Sequence, residues 1–279
     1  MRTTVIATSR RWLEALGLFG PVFWLWRVLR EWSPALERRN RQLRDAAPAG
    51  SLPIPPNELI FAVMASRDVQ VFLDTGARSQ AAIARIFREA GLEPSRAGAI
   101  LDFGCGCGRV LRHWRGVVPD GVVHGTDYNP DAVAWVAANL PHVTAGRNAL
   151  EPPFRYGPAT FDAVYALSVF THLTVELEAA WLAELERVTK PGGVVLLTTQ
   201  GDHYRPKLSP AELAAYDRGD VVVRQASLAG SNWCATFHPE PYVRRVFGRA
   251  FDLIRYEPGG APGIVGQDLV LLRRRAESS

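Results

Sequence analysis

The sequence predicts an α/β fold in which helices cover both faces of a mostly parallel, doubly wound sheet. From residue 99 onward, short apolar runs of strand length alternate with stretches of helical periodicity, which is the pattern of βαβ units. The chain has 279 residues, of which 47% are hydrophobic and 22% are charged, enough for one such domain with an appendage. We expect an antiparallel last strand, a helical N-terminal extension and an insertion after the fifth strand.

The elements of the predicted body, residues 57–279, follow in order along the chain. Helical spacing covers residues 57–92, with Asn57 as the cap of the first helix, Gly76 as a point of interruption and Gly91 at the end. Strands are expected at 99–103, 122–126, 143–145, 161–167 and 194–199, with a final pair at 251–257 and 267–273. Further helices are expected at 109–115, 130–139 and 174–189, and residues 200–250 form the insertion over the sheet edge.

An arm rich in arginine and tryptophan, residues 1–47, precedes the body. Residues 1–44 hold nine Arg and three Glu, a net charge of +6, so the rest of the chain sums to −2 within the total of +4. The positive charge therefore does not lie on the folded body, which argues against a nucleic-acid partner. The apolar stretch 12–29 is broken by two charged residues and a proline, so a full membrane span is not expected.

Two placements of this arm stay open at the level of sequence. A tryptophan-rich helix with flanking arginines suits the surface of a membrane, and residues 10–32 would make that contact. The same helix could instead pack on the folded body or on a second subunit. In both cases a proline-rich linker, residues 48–56, would separate the arm from the body.

The three cysteines, Cys105, Cys107 and Cys234, form no recognisable disulfide framework. Cys105 and Cys107 are one residue apart in a tight turn, and the chain lacks the ligand spacing of a zinc site. An odd number of cysteines without a framework is typical of a reducing compartment. We therefore expect a cytoplasmic protein without a bound metal, with peripheral contact at the inner membrane face as the open alternative.

A glycine-rich turn from Asp102 to Gly108 follows the first expected strand. Its three glycines let the backbone turn sharply and approach a ligand closely, and the next helix would offer free N–H groups. Asp127 lies 19 residues after Gly108, at the end of the second expected strand, where a carboxylate can accept from both hydroxyls of a ribose. Asp127 could instead cap the next helix. Together, the turn and the carboxylate predict a nucleotide-like ligand.

The spacing of the glycines distinguishes two classes of such ligands. The dinucleotide fingerprint is G-x-G-x-x-G, which places a pyrophosphate at a helix N-terminus. This chain reads G-C-G-C-G-R from Gly104, so the third glycine comes one position early. The spacing argues against NAD, although a nicotinamide-dependent oxidoreductase on the same kind of sheet stays as an alternative.

Four segments, taken as a set, resemble the motifs of class I S-adenosylmethionine-dependent methyltransferases. They are ILDFGCGCGRVLRHW from residue 100, GTDYNP from residue 125, FDAVYALSVFTHL from residue 161 and LERVTKPGGVVLLTTQG from residue 185. Their order and intervals are those of the family, and the similarity runs from about residue 57 to the C-terminus. Pro55–Leu59, Asn232–His238 and the pair Gln267-Asp268 are similar to segments of bacterial members. The resemblance implies a Rossmann-like enzyme that uses S-adenosylmethionine.

On the methionine side of the cofactor, the resemblance implies contacts from the turn and from the fourth strand. Asp102 faces the amino group, directly or through water, and Ser168 faces the reacting centre. The residues that line the methionine and ribose are Gly104, Cys105, Gly106 and Gly108, with packing as the expected role of the Cys105 side chain.

On the adenosine side, the resemblance implies that Asp127 binds the ribose and that Tyr128 lies against the adenine. Asn148, followed by Ala149, occupies a position where many members have Asp. An amide oxygen accepts from the adenine amine as a carboxylate does, so this departure from the family pattern is mild.

Methyl transfer from a sulfonium requires the protein to orient the reactants and to remove a proton from the acceptor. Neither a thiol nucleophile nor a metal is needed. His172 follows the fourth strand, where substrates enter sheets of this kind, and is the first candidate for the base. His172 could instead bond the backbone of its loop. His238 and His203, in the insertion, are the other candidates.

The resemblance indicates the chemistry better than the acceptor. We expect O- or N-methylation of a small molecule, a sugar or a lipid-linked intermediate by in-line displacement. Nucleic acid is not expected, because residues 168–171 read SVFT where amino-methylating DNA enzymes carry Asn/Asp-Pro-Pro-aromatic. A catalytically silent cofactor-binding partner protein is a second alternative, and the oligomeric state stays open.

Overall fold

The computed structural model describes residues 31–276, so the apolar stretch 12–29 and its predicted membrane contact lie outside the described residues. The chain divides between Phe72 and Leu73 into two compact units. No helix within the described range is long and apolar enough to cross a membrane. The predicted boundaries of the arm and of the linker stay predictions.

Two helices of the first unit are α1 (Pro34–Asp45) and α2 (Asn57–Met64). The side chain of Asn57 joins them, because it accepts from Arg44 Nη2 at 2.9 Å and donates to Glu37 Oε2 at 2.8 Å. The prediction that Asn57 caps this helix is wrong, since Asn57 lies inside the helix and its amide is engaged with α1. The residues on either side of the proline-rich segment are therefore tied together by hydrogen bonds.

Helix α3 (Val69–Glu89) leads into the second unit, where strands and helices alternate. The strands are β1 (Ile100–Phe103), β2 (Val123–Asp127), β3 (Val143–Arg147), β4 (Phe161–Ala166), β5 (Thr189–Thr199), β6 (Val222–Arg224), β7 (Ala235–Phe237), β8 (Phe251–Glu257) and β9 (Asp268–Arg274). The remaining α-helices are α4 (Pro130–Asn139), α5 (Val175–Val188), α6 (Pro210–Asp217) and α7 (Glu240–Ala250).

Seven of these strands form one sheet in the order β3-β2-β1-β4-β5-β9-β8. The first five strands are parallel to their neighbours, and β9 runs antiparallel to both β5 and β8. The predicted fold, a mostly parallel sheet whose last strand is antiparallel, is confirmed. The strand order reverses between β1 and β4, and ligands of such sheets bind outside the carboxyl ends of the strands at that point.

Local sequence explains where α5 begins and where α3 ends. Thr174 caps α5 by accepting from the Leu177 N–H at 3.3 Å, and the buried side chains of Trp181 and Leu185 face the core. After α3, Gly91 adopts a φ of 84° and donates to the Arg88 carbonyl, as expected for a glycine that ends a helix.

The connection between β1 and β2 differs from the prediction. The helix expected at 109–115 is absent, and the segment holds a single 3-10 turn, Leu111–Trp114. Gly108 and Gly116, with φ of 80° and 76°, bracket this segment in left-handed conformations. The stretch between them has seven residues, about two turns of an α-helix, and only Leu111–Trp114 is helical, so no long helix N-terminus stands behind the glycine-rich turn.

The prediction that Gly76 interrupts the preceding helix is also wrong. Helix α3 continues through Gly76, where a Cβ would overlap the carbonyl oxygen of Arg109. The glycine is therefore needed for the close approach of α3 to the β1–β2 connection.

The insertion between β5 and α7 carries its own two-stranded sheet of β6 and β7. It joins the carboxyl end of β5, because the His238 N–H donates to the Gln200 carbonyl at 2.7 Å. Buried Glu178 of α5 holds the other side, accepting from Tyr242 Oη at 2.7 Å and lying 2.5 Å from His238 Nε2. The insertion therefore lies at the edge of the sheet where the strand order predicts ligand binding.

Candidate functional site

The glycine-rich turn folds back over β2 and towards the segment that follows β4. The N–H groups of Gly104 and Cys105 both donate to the Thr126 carbonyl, at 2.8 and 2.9 Å. Gly104 has a φ of 78°, and a Cβ there would overlap Val169 Cγ2. Glycine is therefore required at this position both for its backbone conformation and for space.

Asp127, at the end of β2, faces the turn. Its Oδ2 accepts from the Gly106 N–H and its Oδ1 from the Asn129 N–H, both at 2.8 Å. The backbone of Tyr128 also bonds this carboxylate. A carboxylate has about four acceptor positions, so acceptor capacity remains for a ribose hydroxyl. The cap of α4 is Asn129, whose side chain accepts from Asp131 and Ala132, so the alternative role of Asp127 as a cap does not hold.

Asn148, after β3, carries an unsatisfied acceptor. Its backbone N–H donates to the Asp127 carbonyl at 3.1 Å, and its Nδ2 donates to the Ala149 carbonyl at 2.7 Å. Asn148 is buried, and its Oδ1 has no hydrogen-bond partner among the described residues. A buried acceptor without a donor is destabilising by about 1–3 kcal/mol, so this oxygen fits an incoming N–H donor such as the adenine amine.

Asp102 lies in the middle of the sheet, paired in register with Gly125 of β2 and Tyr165 of β4. Burial raises its pKa to about 7, although a hydrogen bond with Tyr165 and the charge of Arg109 oppose the shift. Trp114 Nε1 donates to Tyr165 Oη at 3.0 Å and so completes a chain of polar groups. A cation brought to this carboxyl would favour its ionised form.

Ser168 follows β4 in a left-handed conformation with a φ of 60°. Its N–H donates to Thr198 Oγ1 at 2.8 Å, and its Oγ accepts from Gln267 Nε2 at 2.5 Å. Gln267 is buried, and its Oε1 is a second acceptor without a partner in the described part of the chain. The sequence marks Gln267 only as half of a family-like pair, because its contact with Ser168 depends on β9 lying next to β5.

The cofactor-side residues of the sequence analysis meet at the carboxyl edge of β1, β2, β3 and β4. Two of them lie elsewhere: the Cys105 side chain is buried with its Sγ under the β2 backbone, near Gly125, and Gly108 packs against Val136 and Leu140 at α4. Burial raises the pKa of the Cys105 thiol well above its ordinary value, so the group stays neutral. Tyr128 and Leu150 are exposed by 43% and 38%, and they flank Asp127 and Asn148.

His172 is held by the insertion. Its Nδ1 lies 2.6 Å from the Cys234 carbonyl oxygen, which cannot donate, so Nδ1 carries the proton of this bond. Burial lowers the pKa of His172, and the bond to Cys234 opposes that shift. The neutral ring then has its lone pair on Nε2, which makes His172 competent as a base.

The other two histidines are placed differently. His203 is exposed and lies against Gly266, where a Cβ would come within 2.6 Å of its Nε2, so it stands beside Gln267. His238 is fully buried with its Nε2 on Glu178, and its Nδ1 has no partner among the described residues. His172 and His203 therefore border the edge that carries Ser168, and His238 lies in the interior.

Within residues 31–276, no group of three or more His, Cys, Asp or Glu side chains is arranged to hold a metal ion. The cysteines Cys105, Cys107 and Cys234 are buried and free.

Residues 100–193 match the family model of a methyltransferase domain. The matched range begins at the first residue of β1 and ends within β5. It contains the glycine-rich turn and Asp127, together with Asn148, Ser168 and His172.

Several solved methyltransferase structures share this fold. An S-adenosylmethionine-dependent methyltransferase from Mesorhizobium loti is 17% identical with a TM-score of 0.53, and the match covers 69% of this chain and 98% of that one. An amino pentose methyltransferase from Micromonospora echinaspora is 22% identical with a TM-score of 0.51, covering 73% and 91%. A glycopeptide N-methyltransferase is 15% identical with a TM-score of 0.51, covering 71% and 94%.

Proposed function

We propose that the chain is a class I S-adenosylmethionine-dependent methyltransferase, in keeping with the methyltransferase-domain match over residues 100–193, and that it methylates a small molecule, a sugar or a lipid-linked intermediate at oxygen or nitrogen. The observation that carries the proposal is the pair formed by Asp127 and Asn148. Asp127 keeps acceptor capacity beyond its backbone bonds, and Asn148, whose N–H donates to the Asp127 carbonyl, presents an unpaired buried acceptor. A ribose hydroxyl would donate to Asp127, and the adenine amine would donate to Asn148 Oδ1.

The remaining part of the cofactor fits the other groups of this edge. Asp102, buried with its pKa raised to about 7, offers a partner for the cationic amino group. Gly104 and Gly106, both with positive φ, let the backbone lie against the methionine and ribose. When bound, S-adenosylmethionine supplies an electrophilic methyl group on a sulfonium.

The chain itself orients the acceptor and removes its proton. Ser168 Oγ is fixed by Gln267, whose free Oε1 can accept from an acceptor hydroxyl or amine. His172, neutral with its lone pair on Nε2, would take the proton of the acceptor, and a bound S-adenosylmethionine would supply the methyl group. Orientation can contribute about 7–11 kcal/mol and a base about 10²–10⁴-fold.

The position of the insertion favours a small molecule as the methyl acceptor. Residues 200–238 join the carboxyl edge of β5 next to Gln200, and they bring His203 beside Gln267. An edge covered in this way suits a molecule that can be enclosed rather than a duplex. The amino pentose and glycopeptide enzymes of similar fold are compatible with such an acceptor.

Isothermal titration of the full chain with S-adenosylmethionine and with S-adenosylhomocysteine tests the proposal. We expect both to bind, and Asp127→Ala to weaken binding by about 100-fold or more because the charge-assisted hydrogen bonding to the ribose is lost. NADH is the control ligand and should not bind. No binding by the wild-type chain, or equal binding by Asp127→Ala, would contradict the cofactor assignment, whereas binding without turnover on any acceptor extract would contradict the enzymatic one.

A further inference from the structure

A strap formed by residues 225–234 connects β6 to β7 within the insertion. Two of its backbone groups bond to a single residue of the body, His172. The Gly230 N–H donates to the His172 carbonyl at 2.8 Å, and the Cys234 carbonyl accepts from His172 Nδ1 at 2.6 Å. The position of the strap therefore depends on His172.

The same strap lies against the adenosine end of the proposed cofactor site. A Cβ at Gly230 would come within 2.5 Å of Leu150 Cδ1 and 3.9 Å of Tyr128 Cε1. Tyr128 follows Asp127, and Leu150 comes two residues after Asn148. Gly230 thus packs closely on Leu150 and lies near Tyr128, the two side chains that flank the acceptors proposed for ribose and adenine.

The strap is not packed closely along its whole length. A groove of about 570 Å³ lies between the strap and the body, and its lining residues are Ala226, Ser227 and Ala229 of the strap with Leu150, Glu151, Pro152, Thr174, Glu176, Leu177 and Ala180 of the body. Trp233 is 72% exposed and Leu228 is 46% exposed. Segments with few buried apolar contacts open locally at low free energy, so residues 225–233 can move away from the body, while Cys234 at the end of the strap is fully buried.

Resting on the proposed function, we propose that the strap closes over the adenosine of the bound cofactor and that His172 is the positioning residue that holds it closed. Closure retains the cofactor during methyl transfer and must reverse before the demethylated product leaves. Because the Cys234 carbonyl engages Nδ1–H of His172, the same contact sets the tautomer that leaves Nε2 free. Closure of the strap then also fixes the tautomer in which His172 can act as a base.

The dissociation rate of S-adenosylhomocysteine from the full chain, measured by stopped-flow displacement, tests the proposal. In Gly230→Ala the new methyl group meets Leu150 and keeps the strap from closing, so the rate should rise about tenfold or more. Gly219→Ala is the matched control, since Gly219 also lies in the insertion with a φ of 86° and its Cβ would meet only Pro241, at 3.8 Å. An unchanged rate in Gly230→Ala, or an equal rise in Gly219→Ala, would overturn the proposal.

Two substitutions of His172 test its role as the holding residue. His172→Asn keeps a side-chain N–H close to the place of Nδ1, whereas His172→Ala removes the donor to Cys234. We expect S-adenosylhomocysteine to leave His172→Ala about tenfold faster than the wild type and His172→Asn at a rate close to the wild type. Equal rates in all three chains would overturn the role of His172. If the wild-type chain does not bind S-adenosylhomocysteine in the titration above, the proposed function is contradicted. If it binds but the dissociation rates do not differ, only the role of the strap is contradicted.

Discussion

Asp102 is enclosed by its neighbours on β2 and β4, and burial is the largest cause of its raised pKa of about 7. Near neutral pH, a small change in its surroundings therefore decides whether this carboxyl is charged. If the cationic amino group of the cofactor binds next to Asp102, as we propose, the ionised form is favoured and binding should release a proton from this carboxyl.

At the residue scale, we expect the affinity for S-adenosylhomocysteine to rise as the pH rises through about 7. Below that pH, the cofactor must displace the proton of Asp102, and affinity should fall by up to about tenfold per pH unit. Titration calorimetry between pH 5.5 and 7.5 measures this slope. In Asp102→Asn the slope should be nearly flat, and an equal slope in the two chains would contradict the assignment.

The stability of the free protein should change with pH in the opposite direction and should fall as the pH rises. The folded-state pKa of about 7 lies above the ordinary value of 3.8, so the folded state binds the proton more tightly than the unfolded chain does. This contribution is fully present below about pH 4 and is lost as the pH rises to about 7. Comparing the pH dependence of Tm in the wild type and in Asp102→Asn isolates it.

At the scale of elements, the approach of α3 to the β1–β2 connection depends on Gly76. Gly76→Ala should lower the free energy of unfolding by about 1–3 kcal/mol, because the new Cβ overlaps the Arg109 carbonyl oxygen. Gly248→Ala in α7 is the matched control, since a Cβ there meets nothing within 4 Å. That substitution should raise stability by about 0.4–1 kcal/mol. Urea unfolding of both variants measures the difference, and a neutral Gly76→Ala would contradict the close approach.

The elements show which features can be predicted from the sequence. The five parallel strands and α5 follow from apolar periodicity and from the cap at Thr174, which are local patterns. The helix predicted at 109–115 is wrong, because the segment holds only the 3-10 turn Leu111–Trp114, and apolar spacing does not distinguish such a turn from a short α-helix.

Site residues can be predicted from the sequence where they lie at the ends of predicted strands. Asp127 and Asn148 can be located in this way, because Asp127 ends β2 and Asn148 comes directly after β3. The bond from Gln267 to Ser168 and the hold of His172 on the strap cannot, because each joins segments more than 55 residues apart. Pairing of that kind depends on the register of β9 and on the path of the insertion, which no local pattern contains.

At the scale of the whole molecule, the arm can be tested apart from the site. Residues 12–29 carry three tryptophans and are flanked by arginines. We expect the full chain to bind vesicles that contain anionic lipid and a chain lacking residues 1–30 to stay free. Ending the deletion at residue 30 spares the bonds of Glu37 and Arg44 to Asn57. S-adenosylhomocysteine binding by both chains is the control for folding, and equal partition would contradict a membrane role.

The place of β9 in the sheet has a consequence for synthesis on the ribosome. This strand is the last of the described strands to leave the ribosome, yet it fills the space between β5 and β8. Gln267 stands directly before it, so Ser168 gains its amide partner only after all the other described strands have emerged. The strands β1, β2 and β3, which carry the proposed adenosine side of the site, therefore leave the ribosome before Gln267, which belongs to its proposed acceptor side.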